Sequence, residues 1–191
     1  MFSGRRTNIK NKLAMHRIVF AFLTLEQHLR AVVTAPQSYR PERCPHCGCS
    51  CLWGHGFYDR KADRSADGDL NPVAVPRFRC PSCRHTCSRL PLCICPHRWY
   101  GWALQQQVLQ LLIAGASLRR TASIFALGYH TVRRWWRWLA TGHENLAFHL
   151  RSRFAPLGRS VDLAGFWLAC FRQMPLCEAM AWLDHDGVVV P

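Results

Sequence analysis

Nine of the eleven cysteines fall between residues 44 and 95, and four of them form two pairs of identical spacing. The first is Cys44-Pro-His-Cys47, followed by glycine, and the second is Cys80-Pro-Ser-Cys83, followed by arginine. Two thiolates two residues apart, in a turn shaped by proline, supply half of a tetrahedral site. Two such turns place four sulfurs around one Zn²⁺. Cys44, Cys47, Cys80 and Cys83 are therefore the expected zinc ligands. Cys49, Cys51, Cys87, Cys93 and Cys95 lack a second set of paired spacings. They read first as small buried apolar residues, with Cys49, Cys87, His46 and His85 left open as replacement ligands.

A different chemistry is written in Ser117–Leu139, SLRRTASIFALGYHTVRRWWRWL. Ser117 has the side chain of a helix N-cap. Leu118, Thr121, Ala122 and Phe125 follow at helical spacing. Gly128 marks the expected turn, where glycine tolerates positive φ. In the second helix Val132, Trp135, Trp136 and Leu139 form the apolar side, and Ala122 is small where the two helices cross. Tyr129, His130, Thr131, Arg133, Arg134 and Arg137 are left to face outward. This is the layout of a helix-turn-helix whose second helix enters the major groove of double-stranded DNA.

Carboxylates offer less. Nucleases of the two-metal type hold their ions with three carboxylates on a domain of well over ~100 residues of alternating strands and helices. Only about fifty residues follow Leu139. Asp184-His185-Asp186 reads as a polar turn after the last helix. Tyr100 and Tyr129 have basic neighbours but belong with the DNA-binding unit rather than with a recombinase nucleophile site. No catalytic activity is expected.

The elements that must position these groups follow from pattern. Residues 1–40 hold a basic arm and a helix over about Lys12–Val33, whose wide apolar side implies burial against another element or a second copy of the chain. Pro36 and Pro41 bracket a linker. Residues 41–96 read as a zinc ribbon, with strands at Leu52–Tyr58 and Val73–Arg79 joined by the polar loop 59–72. Trp53, Phe57, Tyr58 and Phe78 on these strands serve core packing or stacking on unpaired bases. Residues 97–142 open with the basic-aromatic hinge His97–Tyr100. They continue through a helix from Trp102 to Ala114, ended by Gly115, into the helix-turn-helix, with Gly142 closing the last helix. Residues 143–191 form a polar stretch and then a helical tail interrupted at Pro175. The fold class is α+β: a small zinc-ribbon β unit, then a mainly α-helical helix-turn-helix domain, with N- and C-terminal helices.

Charge fits this division. Lysine and arginine number 25 against 11 acidic residues, a net +14 that favours polyanions. Residues 101–160 carry eight basic residues and one acidic, whereas residues 161–191 carry one and four. The tail therefore packs on protein rather than on phosphate. Only Lys10, Lys12 and Lys61 are lysines, and arginine suits bidentate contacts to guanine and phosphate. No signal peptide or membrane span is expected, since the apolar run Ile18–Leu25 is short. A cytoplasmic, nucleoid-associated protein follows, in a compartment where thiols stay reduced and serve metals.

Paired CPxC knuckles, the phrase Pro76-Arg77-Phe78-Arg79-Cys80, then Ser88-Arg89-Leu90-Pro91 and a helix-turn-helix resemble a bacterial insertion-sequence family. Its members are short transposase-related proteins, often described as domains of unknown function. The resemblance spans most of residues 40–140, and the tail Phe166–Pro191 is similar to that family's C-terminal region. It implies that ribbon and helix-turn-helix together recognise the mobile element's own DNA, beside a separate catalytic transposase subunit. It also implies that Cys44, Cys47, Cys80 and Cys83 occupy the family's metal positions. A transcriptional regulator, or a ribbon module for RNA or protein, are the competing expectations.

Overall fold

The computed structural model describes residues 17–62, 71–96, 100–159 and 162–190. The basic arm, most of the polar loop and the hinge residues 97–99 lie outside the described residues. The chain is mixed α/β, with a strand-rich region around the cysteines preceding a helical region.

Strands β1 (Ile18–Val19), β2 (Trp53–Arg60), β3 (Val73–Arg79), β4 (Thr86–Cys87) and β5 (Leu90–Pro91) form two small sheets. In the larger sheet β2 and β4 both run antiparallel to the central β3. Trp53 faces Arg79 and Gly54 faces Phe78, but the next pair is Phe57 with Pro76, so β2 carries one extra residue. Gly56 takes φ 72° in that bulge, a conformation costly for any residue with a Cβ.

Helix α1 (Leu25–Thr34) is shorter than the sequence predicts. Thr24 starts it with a capping box: its hydroxyl accepts from the Gln27 N–H, while the Gln27 side chain accepts from the Thr24 N–H. Upstream, Phe22 sits at φ 64° and the β-branched pair Ile18–Val19 runs parallel to Leu90–Pro91. Of the expected helix from Lys12, residues 12–16 lie outside the described part. The expected linker is also structured. Pro36–Tyr39 forms a 3₁₀ turn that buries Tyr39 completely. Its hydroxyl lies 2.7 Å from Nδ1 of buried His28, whose Nε2 lies 3.0 Å from the Ala74 carbonyl. A carbonyl only accepts, so Nε2 carries the proton and Nδ1 accepts from Tyr39. Val19, Ala31, Val32, Tyr39, Leu52 and Phe78 share one core with Cys44 and Cys80. Residues on both sides of position 40 thus pack together.

The helical region comprises α2 (Trp102–Ile113), α3 (Leu118–Ile124), α4 (Tyr129–Arg153), α5 (Leu163–Gln173) and α6 (Leu176–His185). Gly142 does not end α4, which runs through it for 25 residues. Leu146, Ala147 and Leu150 continue the buried stripe begun by Val132, Trp135, Leu139 and His143, so the expected polar stretch is helix with one apolar face. Pro175 does separate the last two helices, as its lack of an N–H requires. Residues of all five helices meet in one core with Trp135, Phe166, Trp167, Leu176 and Met180 almost wholly buried. The acidic tail packs on protein, as its charge implied.

The two regions are tied at Ile18, which is buried in the helical core. Its N–H donates to Asp184 Oδ2 on α6 at 2.9 Å, and its carbonyl accepts from Arg89 at 3.3 Å. The Gln105 amide donates to Cys95 Sγ at 3.0 Å and so joins α2 to the end of the ribbon.

Candidate functional site

Each cysteine pair is folded by the same hydrogen bonds. In the first, the Gly48 N–H donates to the Cys44 carbonyl at 2.9 Å and the Cys44 N–H to the Cys49 carbonyl at 2.8 Å. In the second, Arg84 donates to Cys80 at 2.9 Å and Cys80 to His85 at 2.9 Å. Gly48 and Arg84 hold the same left-handed position, at φ 76° and 62°. The repeat aims all four thiols at one point. Their sulfurs lie within 4.8 Å of one another, with Cys44–Cys83 at 3.6 Å and Cys47–Cys80 at 3.5 Å. A tetrahedron of sulfurs about 2.3 Å from a central ion has edges of about 3.8 Å, so the donor set fits a tetrahedral metal ion.

The local field favours ionised sulfur at two of the four positions. The Cys80 thiol is pulled below the ordinary range by the Cys83 N–H against the effect of burial, helped by the Cys47 thiol. At Cys44 burial opposes ionisation, but the His46 and Cys47 N–H groups and the Cys83 thiol outweigh it. The rings of His46 and His85 stack at 4.3 Å beside the cluster. Neither histidine joins the donor set among the described residues, nor do Cys49, Cys51, Cys87, Cys93 or Cys95. Cys87 is buried beside the cluster, and burial pushes its thiol up to about 11.

The second candidate lies on α3 and α4. The Ser117 hydroxyl accepts from the Arg120 N–H at 3.2 Å and caps α3. The turn differs from expectation. Gly128 has φ −64° and is the N-cap of α4, so its lack of a Cβ is not needed for backbone freedom. The left-handed residue is Ala126, at φ 49°. Leu127 donates to the Ala122 carbonyl at 2.9 Å and Ala126 to the Ser123 carbonyl at 3.2 Å. These two bonds make a Schellman cap with alanine in the place usually taken by glycine.

Beyond this turn Val132, Trp135 and Leu139 are at most 1% exposed and pack α4 onto α2 and α3, with Ala122 buried at the crossing. Burial of Val132 and Leu139 stabilises this docking by about 1.5–3 kcal/mol each. On the opposite side Tyr129, His130, Arg133, Arg134 and Arg137 are exposed and Thr131 is half-buried. Arg119 and Arg120 on α3 are exposed as well. These two are not among the contact residues expected from the sequence, although paired arginines in the first turn after an N-cap are a signal for them. Asp186 binds Arg153 of α4 in a bidentate pair, with Nε 3.0 Å from Oδ1, and that guanidinium holds its carboxyl below the usual range.

Residues 44–135 match a domain of unknown function, DUF6431. The match begins at the first cysteine of the cluster and ends at Trp135, so it joins the candidate metal centre to the turn and the front of α4. No curated protein and no solved structure matches the chain. No described helix is long and apolar enough to cross a membrane.

Proposed function

We propose that this chain is a DNA-binding protein of a bacterial insertion sequence, reading the element's own duplex through α4 and using Zn²⁺ to fold its ribbon. The observation that carries the reading is the division of α4 into two sides. One side is locked into the core by Val132, Trp135 and Leu139, and the other presents Tyr129, His130, Arg133, Arg134 and Arg137 to solvent. A rigid helix with a basic outer side and eight basic residues to one acidic across residues 101–160 suits a polyanion groove. Arginine at three of these positions adds planar donors for guanine O6 and N7. The link to transposition rests on the resemblance of the knuckles, strands and helix-turn-helix to that family.

Zn²⁺ is the ion proposed for Cys44, Cys47, Cys80 and Cys83, because four soft thiolates in a tetrahedron suit it and because the sulfurs sit in a ribbon with a small core. Its contribution is to folding, not to chemistry. The chain supplies no strand transfer of its own in this reading and acts beside a separate catalytic subunit, at the nucleoid. Asp184 is engaged with the Ile18 N–H and Asp186 with Arg153, which supports a structural role for this pair.

Titration of duplex fragments against the zinc-loaded chain and its Arg133→Ala and Arg134→Ala variants tests the reading. Each variant should lose roughly 1–3 kcal/mol if its arginine reads a base, or lower the salt slope by about one if it contacts phosphate. Affinity and salt slope both equal to the parent's would remove α4 as the reading helix.

A further inference from the structure

Strand β2 is bare on both faces along most of its length, although it belongs to the ribbon sheet. Trp53 is 67% exposed and Phe57 51%, whereas Phe78 on the neighbouring strand is buried. Aromatics left in water on an edge strand do not serve the core. Gly54 and Gly56 leave room around them, since a Cβ at either would meet nothing within 4 Å. Trp53 stands directly opposite Arg79. Both line an open cleft of about 240 Å³, together with Cys80 and Pro81 of the second knuckle, His55 and Arg84. Among the described residues no carboxylate lines it. Along the same strands Arg77 lies over the Tyr58 ring at 5.2 Å.

We infer that this cleft is a second nucleic-acid site, in which an unpaired DNA base stacks on Trp53 while Arg79 and Arg84 hold the flanking phosphates. The cleft and an unpaired strand are chemically complementary. An exposed indole offers a flat π-face that any base can cover, and stacking of this kind is sequence-tolerant. Duplex DNA hides its base faces, so an aromatic platform adds affinity only where a base is unstacked, at a frayed end, an overhang or a junction. The adjacent guanidinium groups supply the charge that tracks a sugar-phosphate strand. A neutral or basic protein segment would leave those arginines without a counter-charge. The site is separate from α4 and does not rest on the duplex reading above.

The test uses the full zinc-loaded chain and three DNA probes: a blunt duplex, the same duplex with a single-stranded overhang, and a single-stranded oligonucleotide. The variants are Trp53→Ala, Trp53→Phe and Arg133→Ala. Trp53 is exposed, so its replacement should keep the parent's zinc content and melting temperature, which are measured alongside. The expected result is at least fivefold weaker binding of the single strand and the overhang by Trp53→Ala, with blunt-duplex binding unchanged and partial recovery in Trp53→Phe. Arg133→Ala should show the converse, losing the blunt duplex and keeping the single strand. Single-strand affinity equal to the parent's in Trp53→Ala overturns the inference, as does failure of the parent to bind single strands. Equal loss on all three probes also overturns it, because the cleft would then belong to the duplex surface. Unchanged DNA binding with loss of self-association would make the strand a protein contact instead.

Discussion

Three of the described helices end in the same cap, and one of these three ends without glycine. Helix α2 closes at Gly115, φ 92°, with Gly115 donating to Leu112 and Ala116 to Leu111. Helix α6 closes at Gly187, φ 78°, with Gly187 donating to Asp184 and Val188 to Leu183. Helix α3 closes at Ala126, φ 49°, with the same pair of bonds. A left-handed residue with a Cβ costs roughly 1–2 kcal/mol, which Ala126→Gly would relieve. Glycine at that site also frees the unfolded chain, at a cost of about 0.4–1 kcal/mol. The balance is a stabilisation of about 0.5–1 kcal/mol. Gly128→Ala is the paired control. At φ −64° an added Cβ would meet only Thr131 Oγ1 at 3.8 Å, an ordinary contact. Its entropic gain is offset by loss of a favoured N-cap residue, so the net change should fall within about 0.5 kcal/mol of zero. Urea unfolding at saturating zinc, followed by far-ultraviolet circular dichroism, reads both. A lower midpoint for Ala126→Gly, or a loss above about 1 kcal/mol for Gly128→Ala, would place the strained residue at Gly128 and refute this account of the turn.

Other expectations follow from the same contacts. Cys44→Ser should abolish stoichiometric metal binding and unfold the ribbon, because a structural ion contributes directly to folding; one zinc per chain at normal stability would exclude the ligand set. Chelation should do the same to the parent while sparing the helical signal of α2–α6, measured in one circular dichroism titration. His28 is held below its ordinary 6.5, chiefly by burial. The unfolded chain therefore binds the proton more readily, and the stability this histidine contributes is present above about pH 6.5 and lost as pH falls toward the lower folded value. His28→Gln should flatten that part of a pH–stability profile. Asp184→Ala should cost about 1–3 kcal/mol by leaving the buried Ile18 N–H without its acceptor, read as a lower denaturation midpoint.

Much of this architecture is legible in the residues. Paired CPxC spacing, the segment Val73–Arg79 with its valines and Phe78, and the alternation of Val132, Trp135 and Leu139 with arginines each carry a local signal, and each corresponds to an observed feature. What was not legible depends on contacts far apart in sequence. Ile18–Val19 falls within the apolar spacing read as a helix over Lys12–Val33, but it is a strand running beside Leu90–Pro91. Gly142 looks like a stop, but the buried stripe of α4 passes through it, because packing against α5 and α6 outweighs the roughly 1 kcal/mol that glycine costs a helix. Tyr39 lies among linker residues and is a core side chain because His28 and Phe22 close over it. Ala126 stands at the first turn position, where such motifs carry glycine, and the backbone shows that it, not Gly128, is the left-handed residue. At the candidate site the cysteines were fully readable, whereas the exposure of Trp53 was not, since an aromatic in a strand usually faces a core.

The most direct test of duplex recognition is selection from fragmented host DNA with the zinc-loaded chain, followed by sequencing. Enrichment of inverted-repeat ends of a mobile element, lost in the Arg133→Ala and Arg134→Ala variants, is the result this account expects. Absence of any enriched duplex would contradict it, and enrichment at promoters alone would make the protein a regulator built from the same parts.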